Sequence, residues 1–464
     1  MTLIGGRWSR LAIACAAIFS AGVPSAQATQ FTVDSVNDTI DSAPGNGVCA
    51  DSLGACTLRA AVQEANALPG NDAITLPVGT VTLSLAGSGD DLGSSGDLDI
   101  HSVVDITGAG MFATRIDAAA LDRVFDVHAD GSLHLTDLTL NNGLANTITA
   151  GSEDRSGGGL LVRAGATAVL QQVAVRGNQA LRTGAGIGLF GSLQGTQLKL
   201  EQNHAEGSSE GGALYIGATA TTLQLEECTL VDNSARAGGA VYSDGSTTII
   251  GFERCLIARN EAFVGAGIVA NLGASHWLLR NSTLSGNHAI GDGGAIFADG
   301  QNQLRLENST ITDNRADGSN GGSAIFDVRG SSSANFTAIR LTNTIVAGNT
   351  LANGRECNTV FPDVIVSGGA TLHGTGIACR MTAGVGDIGV ANARLLPLAD
   401  NGGATPTHAS RFDSAAIDAG LDASCTDRDQ RGHLRPLDGD GDGQARCDIG
   451  AFEFSDAIFA TGFE

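Results

Sequence analysis

Apolar residues in the middle of this chain recur at two periods. Within short runs such as TLQLE, HWLLR and QLRLE they alternate with polar ones, the pattern of a strand with one face turned inward. Between runs they repeat every 27 residues: Leu223, Ile250, Trp277 and Leu304 form one column, and Leu225, Phe252, Leu279 and Leu306 another. Small-residue pairs punctuate the runs at 158–159, 184–185, 211–212, 238–239, 265–266, 293–294 and 321–322, and a third apolar column follows them: Leu161, Ile187, Leu214, Val241, Ile268, Ile296 and Ile325. A unit this short cannot bury its apolar face alone, so successive units must stack. Several short strands per unit and no helix-length segment predict an all-β solenoid, a parallel β-helix in which each strand pairs with its copy in the next coil.

Two further columns carry polar or aromatic side chains. Asn178, Asn203, Asn233, Asn260, Asn287 and Asn314 each close a run, and stacked at one turn their amides predict a hydrogen-bonded ladder. The residue after the third apolar column points outward: Val162, Gly188, Tyr215, Tyr242, Val269, Phe297 and Phe326. Tyr215, Tyr242, Phe297 and Phe326 are therefore candidate ligand contacts, by stacking on sugar rings or on a protein. The competing expectation is that these rings stack on one another along the sheet. Asp244 and Asp299 follow the same strands in SDG and ADG, which read as turns before they read as paired carboxylates.

The ends read differently from the middle. Arg7 and Arg10 precede the apolar run LAIACAAIFSAGV, and Ala26-Gln27-Ala28 follows, so residues 1–28 are expected to be a signal peptide cleaved near Ala28. Residues 29–75 form an N-terminal cap, in which TLRAAVQEANAL predicts a short helix with Thr57 as N-cap and Leu58, Val62 and Ala65 on its buried face. That helix would cover the bare strand edges of the first coil. The solenoid is expected over 76–354, a second cap over 355–454 closing the other end, and a tail over 455–464.

Cysteine and charge narrow the setting. Of nine cysteines, Cys15 lies in the leader; in an exported chain the remainder read as disulfides, with nearest partners Cys49 and Cys56, Cys228 and Cys255, Cys357 and Cys379, and Cys425 and Cys447. Cys228 and Cys255 also read as two stacked thiols. The formal charge is −23 and Lys199 is the single lysine, so a nucleic-acid partner is not expected. No later run reaches the ~20 apolar residues of a membrane helix.

One stretch has the spacing of a cation loop. In DGDGDG, Asp438, Asp440, Asp442 and Gly443 occupy alternate ligand positions and the turn glycine of a calcium loop, and Asp448 stands one place before the position where the EF-hand glutamate would be. A structural Ca²⁺ that rigidifies the C-terminal cap is the expected cofactor. Catalytic motifs are missing: GAGMFA lacks a surrounding βαβ unit, and no G-x-S-x-G, H-E-x-x-H or P-loop occurs. The variable loops after each ladder asparagine, with Glu153, Asp154, Arg155, Glu206 and Glu210, are the expected binding edge.

These residues resemble known families. GGALY, GGAVY and GGAIF, alternating with Asn-terminated strands, resemble the repeats of right-handed parallel β-helix proteins of the pectin-lyase-like superfamily, including polymorphic membrane protein repeats. CTLRAAVQEANALPGNDAITLP resembles the CSLREA segment, with Thr57 and Ala60 departing from the namesake Ser and Glu. LLPLADNGGATPTHA, AAIDAG, DQRG and CDIGAFE resemble the choice-of-anchor Q domain, and SDAIFATGFE resembles the short GFE-ending tails of some exported proteins, for which a sorting role is the expectation. The resemblance implies an exported, surface-associated or extracellular β-helix, adhesin-like and non-enzymatic, with a polysaccharide or cell-surface protein as partner. The alternative it implies is a polysaccharide lyase or glycoside hydrolase, although the clustered Asp, Lys and Arg of such enzymes do not show in the sequence.

Overall fold

A computed structural model describes residues 28–146, 153–245, 247–319, 321–328, 339–351, 354–360, 364–375 and 379–455. The expected signal peptide and nearly all of the tail lie outside them. Every pairing between named strands is parallel and joins one coil to the next. Leu223, Ile250, Trp277 and Leu304 stand in register, as do Leu225, Phe252, Leu279 and Leu306, all within the core. The chain is a parallel β-helix built of a 22-stranded sheet, a 10-stranded sheet and two short ladders of 3 and 4 strands.

Two bends per coil put a single residue into left-handed backbone. One series is Gln197, Glu227, Arg254, Asn281 and Asn308, with φ of 52°, 53°, 55°, 48° and 48°; the other immediately precedes each ladder asparagine, as at Gln202, Asp232 and Arg259. The small-residue pairs supply the third corner. Gly238 has φ +64°, and a Cβ on Gly239 would lie 2.6 Å from the Ala266 carbonyl oxygen of the next coil; the first glycine turns the chain and the second lets the coils approach.

The asparagine ladder is continuous. Each Nδ2 donates to the next Oδ1, from Asn178 to Asn203 at 3.0 Å through Asn314 to Asn349 at 2.9 Å. Asn349, absent from the expected series, extends it, and its Nδ2 ends on Glu356 at 2.8 Å. All four cysteine pairs are disulfides as expected.

Two placements differ from expectation. In the first repeat the structure aligns Leu160 with Ile187 and Leu161 with Gly188, so Leu161, not Val162, belongs to the outward column. The reason is local: Gly157, with φ +71°, is the counterpart of Gly184, with φ +59°, so the aligned pair is 157–158. At the far end, parallel pairing continues past 354 through Cys357–Thr359, Ile365–Gly369, Leu372–Gly374 and Ile388–Val390. Residues beyond this lie along the flank: Thr283 Oγ1 donates to Gln430 at 2.6 Å, Ser285 meets His408 at 2.8 Å, and Ala451 N–H donates to Thr310 at 3.0 Å. Flank burial explains why Leu256, Ile257 and Ala258 are all apolar where alternation would put polar groups outside.

The helix forms at Leu58–Ala67 with Thr57 accepting from the Ala60 N–H, and Leu58, Val62 and Ala65 are buried. Its opposite side is buried too, because residues 34–56 wrap over it: Glu64 accepts from the Gly45 N–H at 2.6 Å, and Arg59 pairs with Asp38.

Candidate functional site

The outward face of the 10-stranded sheet changes chemistry along the rod. Successive residues of one column are Asp99, Asp126, Leu161, Gly188, Tyr215, Tyr242, Val269, Phe297 and Phe326. The next outward position carries His101 and His128 in the first two coils, one residue beyond the pairing of Ile100 with Val127. Carboxylates and imidazoles thus occupy the N-terminal coils, and aromatics the middle.

The candidate ligand rings stack on one another along the sheet, the other of the two expectations. Tyr215 and Tyr242 stack at 5.9 Å and 7° and are 7% exposed; Phe297 and Phe326 meet edge to face at 5.8 Å. Tyr215 donates to Asp244 at 2.9 Å, and Asn271 donates to the Tyr242 hydroxyl at 2.7 Å. Burial and the Asp244 carboxylate push the Tyr215 pKa up, keeping it a donor. The rings leave little face for a ligand. Asp299 accepts from the Gly300 N–H at 2.6 Å, as a turn residue does.

A polar cavity of about 310 Å³ lies over the first coils, lined by residues including Asp97, Asp99, Arg123, Asp126, His128 and Arg163. Asp97, Asp99 and Asp126 are 5%, 1% and 2% exposed. Arg163 donates to Asp126 through Nε and Nη2, at 2.8 and 2.7 Å, and its Nη2 lies 2.7 Å from Asp154. Arg123 lies 2.8 Å from Asp97 and 3.3 Å from Asp126. Asp99 accepts from the Gly93 N–H at 2.9 Å and faces His128 Nε2 at 2.9 Å. His101 Nε2 lies 2.7 Å from the Asp91 carbonyl, and the two imidazoles stack at 4.0 Å.

Burial raises the pKa of Asp97 well above the carboxylate range despite Arg123, and raises that of Asp99 and Asp122. For His128 burial acts downward, but the Asp99 hydrogen bond and the Asp126 charge outweigh it and the pKa rises. All four groups hold protons more tightly folded than unfolded. Their contribution is present in full below the unfolded pKa and is lost as pH rises through the folded pKa. The N-terminal coils are therefore expected to be more stable at pH 5 than at pH 9, and Asp97→Asn, neutral throughout, should flatten the dependence. Melting curves of both proteins across this range check it; identical slopes would contradict it.

The sequence-predicted cation loop is only partly assembled. Asp438 accepts from the Gly441 and Gly443 N–H groups at 2.8 and 2.9 Å, and Asp440 from Asp442 at 3.0 Å. Asp438 and Asp440 come together with Asp418, each offering an oxygen within 4.8 Å of the others. Asp418, from AAIDAG, was missed. Asp442 stays outside this trio. Asp448 is buried elsewhere, accepting from the Asp418 and Phe454 N–H groups at 2.8 and 2.6 Å, and burial with the Glu453 charge pushes its pKa up to about 8.

The edge after the asparagine ladder forms a groove of about 450 Å³. Phe263 and Ile290 are 51% and 62% exposed there, beside His204, Glu261 and His288. This is the edge on which loop variation placed a binding face, but none of the charges expected there, Glu153, Asp154, Arg155, Glu206 and Glu210, lines the groove; Asp154 joins the polar cavity instead.

Residues 281–299 match the family of Chlamydia polymorphic membrane protein repeats. No curated protein matches the chain. Among solved structures, the crystal structure of pectate lyase Pel9A aligns with a TM-score of 0.54 at 12% identity, covering 93% of this chain and 98% of that one. The likeness shows a shared β-helix fold. Among the described residues no helix is long and apolar enough to cross a membrane.

Proposed function

We propose that the chain is an exported, surface-associated or extracellular β-helix protein that binds a polysaccharide or a cell-surface protein along its post-ladder edge, without chemistry on the ligand. The observation that carries this reading is the groove in which Phe263 and Ile290 stand exposed among titratable side chains, since apolar anchors in a polar setting mark contact sites. The repeat match and the disulfides support a surface setting, and the CSLREA-like and choice-of-anchor Q-like ends extend the reading to an exported rod with caps. Calcium on Asp418, Asp438 and Asp440 would stiffen the flank, because three carboxylates form a hard, all-oxygen donor set.

Cleavage of a polysaccharide is the second reading, favoured by the pectate lyase fold and by protonation-prone Asp97 and Asp99 in one cavity. Against it, the cavity's arginines are each tied to carboxylates, which raise the pKa of both against the pull of burial. Lys199 stands 5.4 Å over the Phe112 ring. None of these is poised to remove a substrate proton.

The test is a panel of acidic and neutral polysaccharides and bacterial surfaces, scored for binding and for new reducing or unsaturated ends, with and without calcium. Retention without turnover is expected, and Phe263→Ser with Ile290→Ser should weaken it about tenfold or more while melting as the parent does. Turnover on any substrate, or binding indifferent to the double substitution, would overturn the proposal.

A further inference from the structure

We propose that Asp99, His101 and His128 bind one divalent transition-metal cation of the zinc class, which clamps the first two coils to the capping helix. The inference is independent of what the post-ladder edge binds. It starts from a repeated tetrapeptide: LDIH at 98–101 and FDVH at 125–128 are one repeat period apart. The strands pair in register, Asp99 on Asp126 and Ile100 on Val127. An Asp-x-His unit on each of two adjacent strands places both residues of each unit on the same face, and parallel pairing superposes the two units.

The geometry of the donors follows. Asp99, His101 and His128 each offer one ligand atom within 4.8 Å of the others. The 2.9 Å between Asp99 Oδ1 and His128 Nε2 is a hydrogen bond in the metal-free form. The pair has to open by about 0.4 Å to become one edge of a tetrahedron whose metal bonds are about 2.0–2.1 Å. Binding replaces the shared proton by the cation, and that proton leaves to solvent. The His101 ring stacks on His128 at 4.0 Å with Nε2 2.7 Å from the Asp91 carbonyl; stacked rings do not aim at one point, so the exposed His101 ring turns out of the stack when it binds the cation.

Four carboxyl groups crowd this end of the rod: Asp97, Asp99, Asp122 and Asp126 are all buried to 5% exposure or less. Two other trios bring carboxylates together. In Asp97, Asp99 and Asp126 the central place is taken by the Arg123 guanidinium, 2.8 and 3.3 Å from two of the three. Asp418, Asp438 and Asp440 offer only oxygen, the preference of a hard ion. The Asp99 trio alone mixes imidazole nitrogen with carboxylate, the donor set of zinc and its neighbours.

The site also has an identifiable mechanical role. Asn66, on the capping helix, donates to the Asp99 carbonyl at 2.7 Å and accepts from the His101 N–H at 2.9 Å. A cation on Asp99 and His101 therefore stiffens the seam between cap and solenoid.

The experiment uses the mature chain, purified without a polyhistidine tag and stripped with chelator. Zn²⁺ is titrated by calorimetry in two buffers of different ionisation enthalpy, and Co²⁺ is followed by visible absorption. One equivalent with proton release and a raised melting temperature is expected. His101→Gln, at an exposed position, and His128→Gln should each weaken binding by about 100-fold while folding as the parent does by circular dichroism; His204→Gln and His288→Gln, in the distant groove, should not. Absence of saturable binding at micromolar zinc, parental affinity in both His101→Gln and His128→Gln, or loss of the site in Asp418→Asn instead would overturn the assignment.

Discussion

Asn260→Ala should lower the unfolding free energy of the solenoid by about 3–5 kcal/mol, far more than one side-chain hydrogen bond is worth. Asn260 Oδ1 accepts from both the backbone N–H and the Nδ2 of Asn233, each at 3.0 Å. Its own Nδ2 donates to the Leu230 carbonyl at 3.0 Å and to Asn287 at 2.9 Å. Asn233 and Asn287 are fully buried, so water cannot replace the lost partner. The Asn233 N–H, the Leu230 carbonyl and the Asn287 oxygen are each left short of a bond, at about 1–3 kcal/mol for each buried group. Urea unfolding followed by circular dichroism measures the difference. Because coils exchange stability mainly with their neighbours, hydrogen exchange should localise the loss to the coils around 233, 260 and 287. A change below about 1 kcal/mol would mean the ladder is no more than decoration.

That ladder was legible in the sequence because a buried amide needs the same partner in every coil, so the residue recurs at one spacing. The inward columns were legible for the same reason. What escaped shows where periodicity stops informing. The left-handed bends carry Gln, Glu, Arg and Asn at positions such as Gln197, Glu227, Arg254 and Asn281. A glycine signal is missing there, since the neighbouring strands hold the bend and the strain is borne locally. The aromatic column looked open because alternation assigns a face and not what covers it. Phe190, from the turn after Ile187–Leu189, packs with Tyr215 at 5.7 Å and closes part of that face.

The polar cavity escaped for a different reason. Its coils lack the small-residue pairs by which the repeat was phased, so Asp99 and Asp126 were never aligned with Tyr215 and Tyr242, whose column they share. The recurrence of LDIH and FDVH was the available signal. Asp418 went unnoticed because its partnership with Asp438 and Asp440 is made by the chain folding back, with Asp418 accepting from the Gly439 and Asp440 N–H groups at 2.9 and 2.8 Å. The flank segment was hidden because the residues it covers are polar: Thr283, Ser285 and Thr310 hydrogen-bond to Gln430, His408 and Ala451 rather than to solvent.

Arg59→Met should detach the N-terminal cap at a cost of about 3–5 kcal/mol, the range for breaking a buried ion pair from one side. The Arg59 guanidinium holds three segments at once. It donates to Asp38 at 2.6 and 3.3 Å, and to the carbonyls of Gly93, Gly96 and Asp97 at 3.0, 2.7 and 3.1 Å. Both charged side chains are buried, so removing the cation leaves Asp38 without its counter-charge and three carbonyls without this donor. Asp38 would keep the Ser84 and Leu85 N–H groups, at 2.6 and 2.9 Å, which limits the loss. Adding Asp38→Asn should recover part of it, because a neutral amide oxygen still accepts from those groups without an unpaired charge. Freed of its helix, the first coil exposes the core around Ile74, Leu98 and Ile106, and uncovered parallel edges template association. The expected signature of Arg59→Met is protease cleavage before residue 71, concentration-dependent scattering and a lowered urea midpoint, all milder in the double variant. A single variant that melts within about 1 kcal/mol of the parent and stays monodisperse would show that the apolar face of the helix, with Leu58, Val62 and Ala65, holds the cap without the guanidinium.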